Sequence, residues 1–103
     1  MAGFVQIIEY TTSRPDEVKA MGEEWRGARG DDAQGPGRLV LVADRDRPGH
    51  YLMIVEFESY DAAMANSERA DTSDYAARMA ALCDGPPTFR NLDVIDQWVT
   101  VTH

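Results

Sequence analysis

An α+β fold in the order β-α-β-β-α-β is predicted by three observations. Four short segments rich in aromatic and β-branched residues alternate with two segments of helical periodicity. A charged turn of seven residues, Asp44 to His50, joins the second and third strands as a hairpin. All four strands carry apolar residues on both faces, which a half-exposed antiparallel strand does not do. The chain of 103 residues is large enough for one core and is read as a single domain spanning 1–103.

The first strand is Phe4 to Thr11. It has Phe4, Ile8 and Tyr10 on one face and Val5, Ile7 and Thr11 on the other, with Gln6 and Glu9 as polar intruders. Thr12 to Arg14 break it. Ser13 with Asp16 makes a capping box, and Pro15 suits a first helical turn. The helix that follows buries Val18, Met21, Trp25 and Ala28 at spacings of three and four. Gly27 to Gly37 is glycine-rich and polar. It follows a helix rather than a strand and lacks the Gly-Lys-Ser/Thr ending of a phosphate loop, so it reads as a connection.

Arg38 to Ala43 is the second strand. The third begins at Tyr51, with Tyr51, Met53, Val55 and Phe57 opposite Leu52, Ile54, Glu56 and Glu58. It passes directly into a helix: Ser59 is the N-cap, Asp61 suits the first turn, and Ala62 to Met64 are good helix formers. The helical pattern falters at Asn66 and Ser67. A fresh start capped by Asp71 and Asp74 then buries Tyr75, Met79, Leu82 and Cys83, and Gly85-Pro86-Pro87 stops it. The last strand is placed at Leu92 to Val101, with Val94 and Trp98 opposite Ile95, Val99 and Val101.

This connectivity is a split βαβ arrangement. It is expected to form a four-stranded antiparallel sheet in the order four-one-three-two, its two central strands, one and three, running parallel to each other. Two helices cover one face only. A homodimer packing sheet against sheet is the economical cover for the second.

Charge and composition narrow the function. Hydrophobic content of 44% and charged content of 27% are those of a globular protein. A net charge of −8 argues against nucleic acid and anionic membranes as partners. No apolar run approaches a membrane span, and no basic region leads into a signal-like segment, so the expected location is the cytoplasm. The single cysteine, Cys83, excludes an intrachain disulfide and reads as a small core hydrophobe. Cys/His clusters and helically spaced His pairs are missing, so no metal and no cofactor are expected.

The passage Glu56-Phe57-Glu58-Ser59-Tyr60-Asp61-Ala62-Ala63 and the helix from Asp71 resemble the dimeric α/β-barrel superfamily. The likeness is greatest to small proteins related to antibiotic-biosynthesis monooxygenases. Asn66-Ser67 through Cys83-Asp84-Gly85-Pro86-Pro87 looks like a group of small bacterial members. The resemblance implies a ferredoxin-like fold, with two such sheets packed as a dimeric barrel. It also implies one of several activities: cofactor-free oxygenation of polycyclic phenols, haem degradation, lactone isomerisation, or none. Phe57 stands where the monooxygenase pattern usually has Trp. Haem-degrading members use a helical histidine; the two here are His50, by a turn, and His103, the last residue, so haem binding is not expected.

Eight residues are candidates for chemistry. Glu9 and Glu56 are expected at level depth on adjacent parallel strands, where one carboxylate raises the other's pKa and yields a general base; pairing with arginine is the competing reading. Trp25, Phe57 and Tyr75 are expected to line a cavity between sheet and helices and stack on a small aromatic ligand, or else to be plain core. Asn66 and Ser67 either cap backbone at the helix break or hydrogen-bond a ligand there. His50 could shuttle protons but suits an exposed hairpin equally. Two functions follow: small-molecule binding with cofactor-independent monooxygenase activity on a phenolic substrate, or non-catalytic binding by a stress-associated dimer.

Overall fold

A computed structural model describes residues 3–29, 36–98 and 100. Its elements run β1 (Phe4–Thr11), α1 (Pro15–Arg29), β2 (Arg38–Ala43), β3 (His50–Phe57), α2 (Tyr60–Ser67), α3 (Ala70–Leu82) and β4 (Thr88–Asp93). The strands form one sheet in the order β2-β3-β1-β4, the ferredoxin-like arrangement. Every neighbouring pair is antiparallel.

That includes β1 and β3, which corrects the expectation that the two central strands run parallel. Connectivity dictates the direction. The crossover through α1 makes β1 and β2 parallel, and the tight β2–β3 hairpin then reverses β3 against both. The hairpin is built on Asp44. Its carboxylate accepts from Asp46 N at 2.9 Å and from Arg47 Nε at 2.9 Å, and Gly49 takes the left-handed φ of 85° that the turn requires.

The sheet face toward the helices holds the core. Phe4, Ile8 and Tyr10 of β1 and Met53, Val55 and Phe57 of β3 meet Val18 and Met21 of α1, Ala63 of α2 and Met79 of α3. The alternate residues, Val5, Ile7, Val40, Val42, Leu52, Ile54 and Leu92, lie on the other face and are only partly buried or exposed. The sheet is thus apolar on both sides, as its strand patterns predict.

Thr12 locks the sheet to two helices at once. It is 2% exposed. Its hydroxyl donates to Leu82 O at 2.6 Å and accepts from Arg14 N at 3.0 Å, tying the last turn of α3 to the entry of α1. Pro15 occupies the first helical position, as expected.

Ser59 caps α2 as predicted: in extended conformation, it accepts from Ala62 N at 3.1 Å. The next helix starts differently from the expectation. It begins at Ala70, and its cap position is Arg69, which makes no side-chain cap bond. The chain turns within two residues, Glu68 and Arg69: Glu68 N donates to Met64 O and Arg69 N to Asn66 O, so the new helix starts ahead of Asp71. The side chain of Asp71 lies outside the described residues, as does that of Ala28.

The last strand is also displaced. It starts at Thr88, immediately after the two prolines, and ends at Asp93 rather than running to Val101. Its partner sets the limit. Thr88 pairs with Glu9 and Asp93 with Phe4, so β4 uses the edge of β1 down to its first residue. One further bond, Val94 N to Gly3 O at 3.1 Å, closes the pairing. Residues 94–98 leave the sheet, with Ile95 98% and Trp98 91% exposed. Val99 and Val101 lie outside the described residues. Among the described residues, no helix is long and apolar enough to cross a membrane.

Candidate functional site

A cavity of about 300 Å³ lies between the sheet and the helices. Its floor is the helix-facing side of the sheet, with Ile8, Leu39, Met53, Val55 and Phe57. Trp25 closes it from α1. The third wall is the α2–α3 junction, where Asn66 and Ser67 at the end of α2 meet Thr72, Ser73 and Tyr75 on the first turns of α3. Gln6 of β1 and Phe89 of β4 extend the floor, and Pro36 and Pro87 flank it from the segments that lead into β2 and β4. The volume is at the low end of small-ligand pockets, and an apolar body with a few convergent polar groups is their usual character.

All five residues singled out for ligand contact, Trp25, Phe57, Asn66, Ser67 and Tyr75, line this one cavity. Trp25 and Tyr75 form a tilted aromatic pair with ring centroids 5.0 Å apart at 38°. Gly22, one turn before Trp25, faces Tyr75: a Cβ there would stand 3.4 Å from the Tyr75 hydroxyl oxygen. Burial pushes the Tyr75 phenol up from its ordinary value, with Arg26 pulling it partly back and Cys83 adding to the rise. Asn66 is buried at 6% exposure, and Ser67 Oγ donates to Ala63 O at 3.1 Å. The helix break therefore puts an amide and a hydroxyl beside aromatic walls.

Glu9 and Glu56 are not part of this constellation. Because β1 and β3 are antiparallel, Glu9 pairs with Leu52 and Glu56 with Val5, so the carboxylates stand at opposite ends of the sheet. Both are on the face away from the helices, and neither lines the cavity. Each has arginine partners: Glu9 meets Arg90 at 3.3 Å and Arg47 at 3.6 Å, and Glu56 meets Arg38 at 3.2 Å. The expectation of a close carboxylate pair is corrected; its cause was the assumed parallel direction. His50 opens β3 beside the hairpin turn, its backbone N–H donating to Arg47 O at 3.1 Å.

A second aromatic group adjoins the cavity-lining pair. Tyr10 and Tyr51 stack with centroids 5.8 Å apart. The Tyr10 phenol is pushed far above its ordinary value, first by burial and then by Tyr75, Cys83 and Tyr51. Cys83 donates to Met79 O at 3.2 Å, and burial pushes its thiol up, which suits an inert core cysteine.

Thr72, Ser73, Gln6 and Phe89 were not anticipated as lining residues. Thr72, Tyr75, Ala76 and Met79 share one helix face at spacings of three and four, a signal present in the sequence. Phe89 lies in β4, upstream of the Leu92 at which the sequence pattern starts that strand.

The architecture has close counterparts among solved structures. An asparagine-to-alanine variant of SnoaB, a cofactor-independent oxygenase from Streptomyces nogalater, matches with a TM-score of 0.78 at 15% identity, covering 94% of this chain and 97% of that one. A protein described as an antibiotic biosynthesis monooxygenase matches at 0.70 and 17% identity, covering 90% and 99%. The chain has the antibiotic-biosynthesis-monooxygenase fold. A conserved protein from Methanosarcina mazei Go1 also matches, with a TM-score of 0.77 at 7% identity, covering 90% of this chain and 93% of that one. No protein-family model matches the sequence, and no curated protein matches it. At these identities the likeness to monooxygenases is one of fold.

Proposed function

We propose that the protein binds a small planar phenolic or quinonoid molecule in the cavity between sheet and helices. The observation that carries this reading is the convergence of Trp25, Tyr75 and Asn66 on one apolar cavity of about 300 Å³. The aromatic pair supplies a stacking wall, and the α2–α3 junction supplies polar contacts along one edge. Titrating naphthol or naphthoquinone against tryptophan fluorescence tests it. The two tryptophans need separating, because Trp98 is exposed and distant in character; a Trp98→Phe background leaves Trp25 as the reporter. Saturable quenching is expected, weakened about tenfold by Asn66→Ala, the worth of one hydrogen bond. Quenching that does not saturate, or that Asn66→Ala leaves unchanged, places recognition elsewhere.

A second reading, cofactor-independent oxygenation of that ligand, is favoured by the fold shared with SnoaB. Among the described residues, Tyr75 is the one lining side chain with an ionisable proton, and no carboxylate lines the cavity; burial raises its phenol, which suits a hydrogen-bond donor to the ligand rather than a base. Oxygen consumption on adding a readily oxidised naphthol, abolished in Tyr75→Phe or Asn66→Ala, is the expected sign of turnover. Binding without oxygen uptake across a set of phenols leaves the non-catalytic reading.

The same proposal includes a homodimer. The apolar centre of the open sheet face, with Ile7, Ile54 and Val40, is flanked by ion pairs at opposite corners, Arg38–Glu56 and Arg90–Glu9. A face of that character fits a second copy packed sheet to sheet. Light scattering should give about twice 11.5 kDa, falling toward the monomer in Ile54→Lys. A monomer at every concentration refutes this.

A further inference from the structure

We infer that the segment following β4 is an arm that adds to the free edge of β2 on a second copy of this chain; this rests on the homodimer reading above. The arm has no seat in its own protomer. The β4 ladder closes with Val94 N bonded to Gly3 O, and residues 94–98 belong to no strand. Ile95 is 98% exposed and Trp98 91%, more than any other large apolar side chain among the described residues. A tryptophan left in water forgoes burying about 150–250 Å² of surface. The sequence Trp98-Val99-Thr100-Val101-Thr102 has the aromatic and β-branched composition of a strand.

The seat is β2. It is an outer strand, and its edge away from β3 pairs with no strand among the described residues, so its backbone groups there can take a further strand. Leu41, 38% exposed, stands on its helix-facing side. Charge is complementary. Arg38 to Ala43 contains no acid, and Arg45 beyond it is exposed and without an ion pair among the described residues. The arm carries Asp96, exposed, and no Lys or Arg. An antiparallel register with Trp98 opposite Leu41 sets Asp96 opposite Ala43, on a diagonal to Arg45. The outer edge of β4 offers no such match, because it ends in Asp93 and its Arg90 is held by Glu9. The arm's own β2 lies at the far edge of the sheet from β4, and reaching it would mean crossing the open face that the second copy covers. A two-fold dimer instead lets each copy give one arm and receive one.

The test uses the full chain carrying Trp25→Phe, which leaves Trp98 as the one tryptophan. Acrylamide quenching of Trp98 is followed through a dilution series, with light scattering giving the mass at each point and Ile54→Lys supplying the monomer. Quenching should be about threefold weaker in the dimer, as for a ring moved from water into a packed contact. In the otherwise unchanged chain, Ile95→Ser together with Trp98→Ser should raise the dimer dissociation constant at least about tenfold, with the circular dichroism of the protomer unaltered. Arg45→Glu should raise it up to about fivefold, and adding Asp96→Arg in the same chain should restore it. Trp98 quenched alike in dimer and monomer, or shielded in both, would overturn the inference while leaving the dimer standing. A monomer at every concentration would remove the dimer reading and this inference with it.

Discussion

Replacing Thr12 by valine keeps the shape of a side chain that is 2% exposed and deletes its hydroxyl. Two bonds go with it, the 2.6 Å donation to Leu82 O and the 3.0 Å acceptance from Arg14 N. Each is worth about 1 kcal/mol net, and the groups left behind, a carbonyl in the last turn of α3 and an N–H at the entry to α1, add a desolvation cost of similar size. The expected loss is about 2–4 kcal/mol, a large share of the stability of a small domain. Thr12→Ser is the control. It keeps the hydroxyl and loses one buried methyl group, for about 1 kcal/mol. Urea unfolding followed by circular dichroism, at one fixed protein concentration, measures both. Because Thr12 links the helices that carry Trp25 and Tyr75, ligand binding should weaken in the valine variant and not in the serine one. If Thr12→Val is no less stable than Thr12→Ser, the hydroxyl is not the clamp that the geometry describes.

Further outcomes follow from the same geometry. Tyr10 and Tyr75 both have phenol pKa values raised above the ordinary 10.0, so the folded protein holds these protons to higher pH than the unfolded chain does. Their contribution is complete below pH 10 and is lost as pH rises through the folded values; tyrosinate absorbance should show two of the four tyrosines ionising late, and Tyr10→Phe should blunt the alkaline fall in stability. Glu56→Gln breaks a pair whose arginine is 68% exposed, so a change within about 1 kcal/mol is expected in chemical denaturation of the protomer. It should leave cavity titrations untouched, since the side chain is on the opposite face. Trp25→Ala should cost about 2–3 kcal/mol, below the range for a fully buried ring, because part of the indole faces the cavity rather than packed atoms.

Strand and helix types were legible wherever a local pattern was enough. Phe4–Thr11 and Arg38–Ala43 are strands at the expected residues, and β3 begins at His50, one residue earlier than its apolar pattern suggests. The Ser59 cap and the break after Asn66-Ser67 were readable because capping and helix interruption depend on neighbouring residues alone. The extent of β4 was not, because Arg90 and Asn91 mask a strand whose ends are decided by the length of β1, more than eighty residues away in the chain for the Gln6–Asn91 pair. Direction of the central strands could have been deduced from connectivity, since a parallel crossover followed by a hairpin fixes the third strand. The antiparallel direction is what holds Glu9 and Glu56 at opposite ends of the sheet. The cavity residues do not depend on that direction: Trp25 and Tyr75 follow from helical spacing and Asn66 from the break in it, neither of which sheet direction disturbs.

Gly22 makes the depth of the cavity adjustable from outside its walls. It is buried in the middle of α1, and alanine would fit there, with its Cβ at an ordinary contact distance of 3.4 Å from the Tyr75 hydroxyl. That change should raise helix stability by up to about 1 kcal/mol and leave the ring where it is. Valine or leucine carries carbon beyond that distance, and the hydroxyl has to give way. Tyr75 is anchored on α3, so its ring can yield only by swinging, and the space beside it is the cavity. A graded series at this one position would therefore grade the size of molecule admitted, with no wall residue replaced. For anyone wishing to re-aim the site toward smaller rings, the handle is a glycine that no ligand touches.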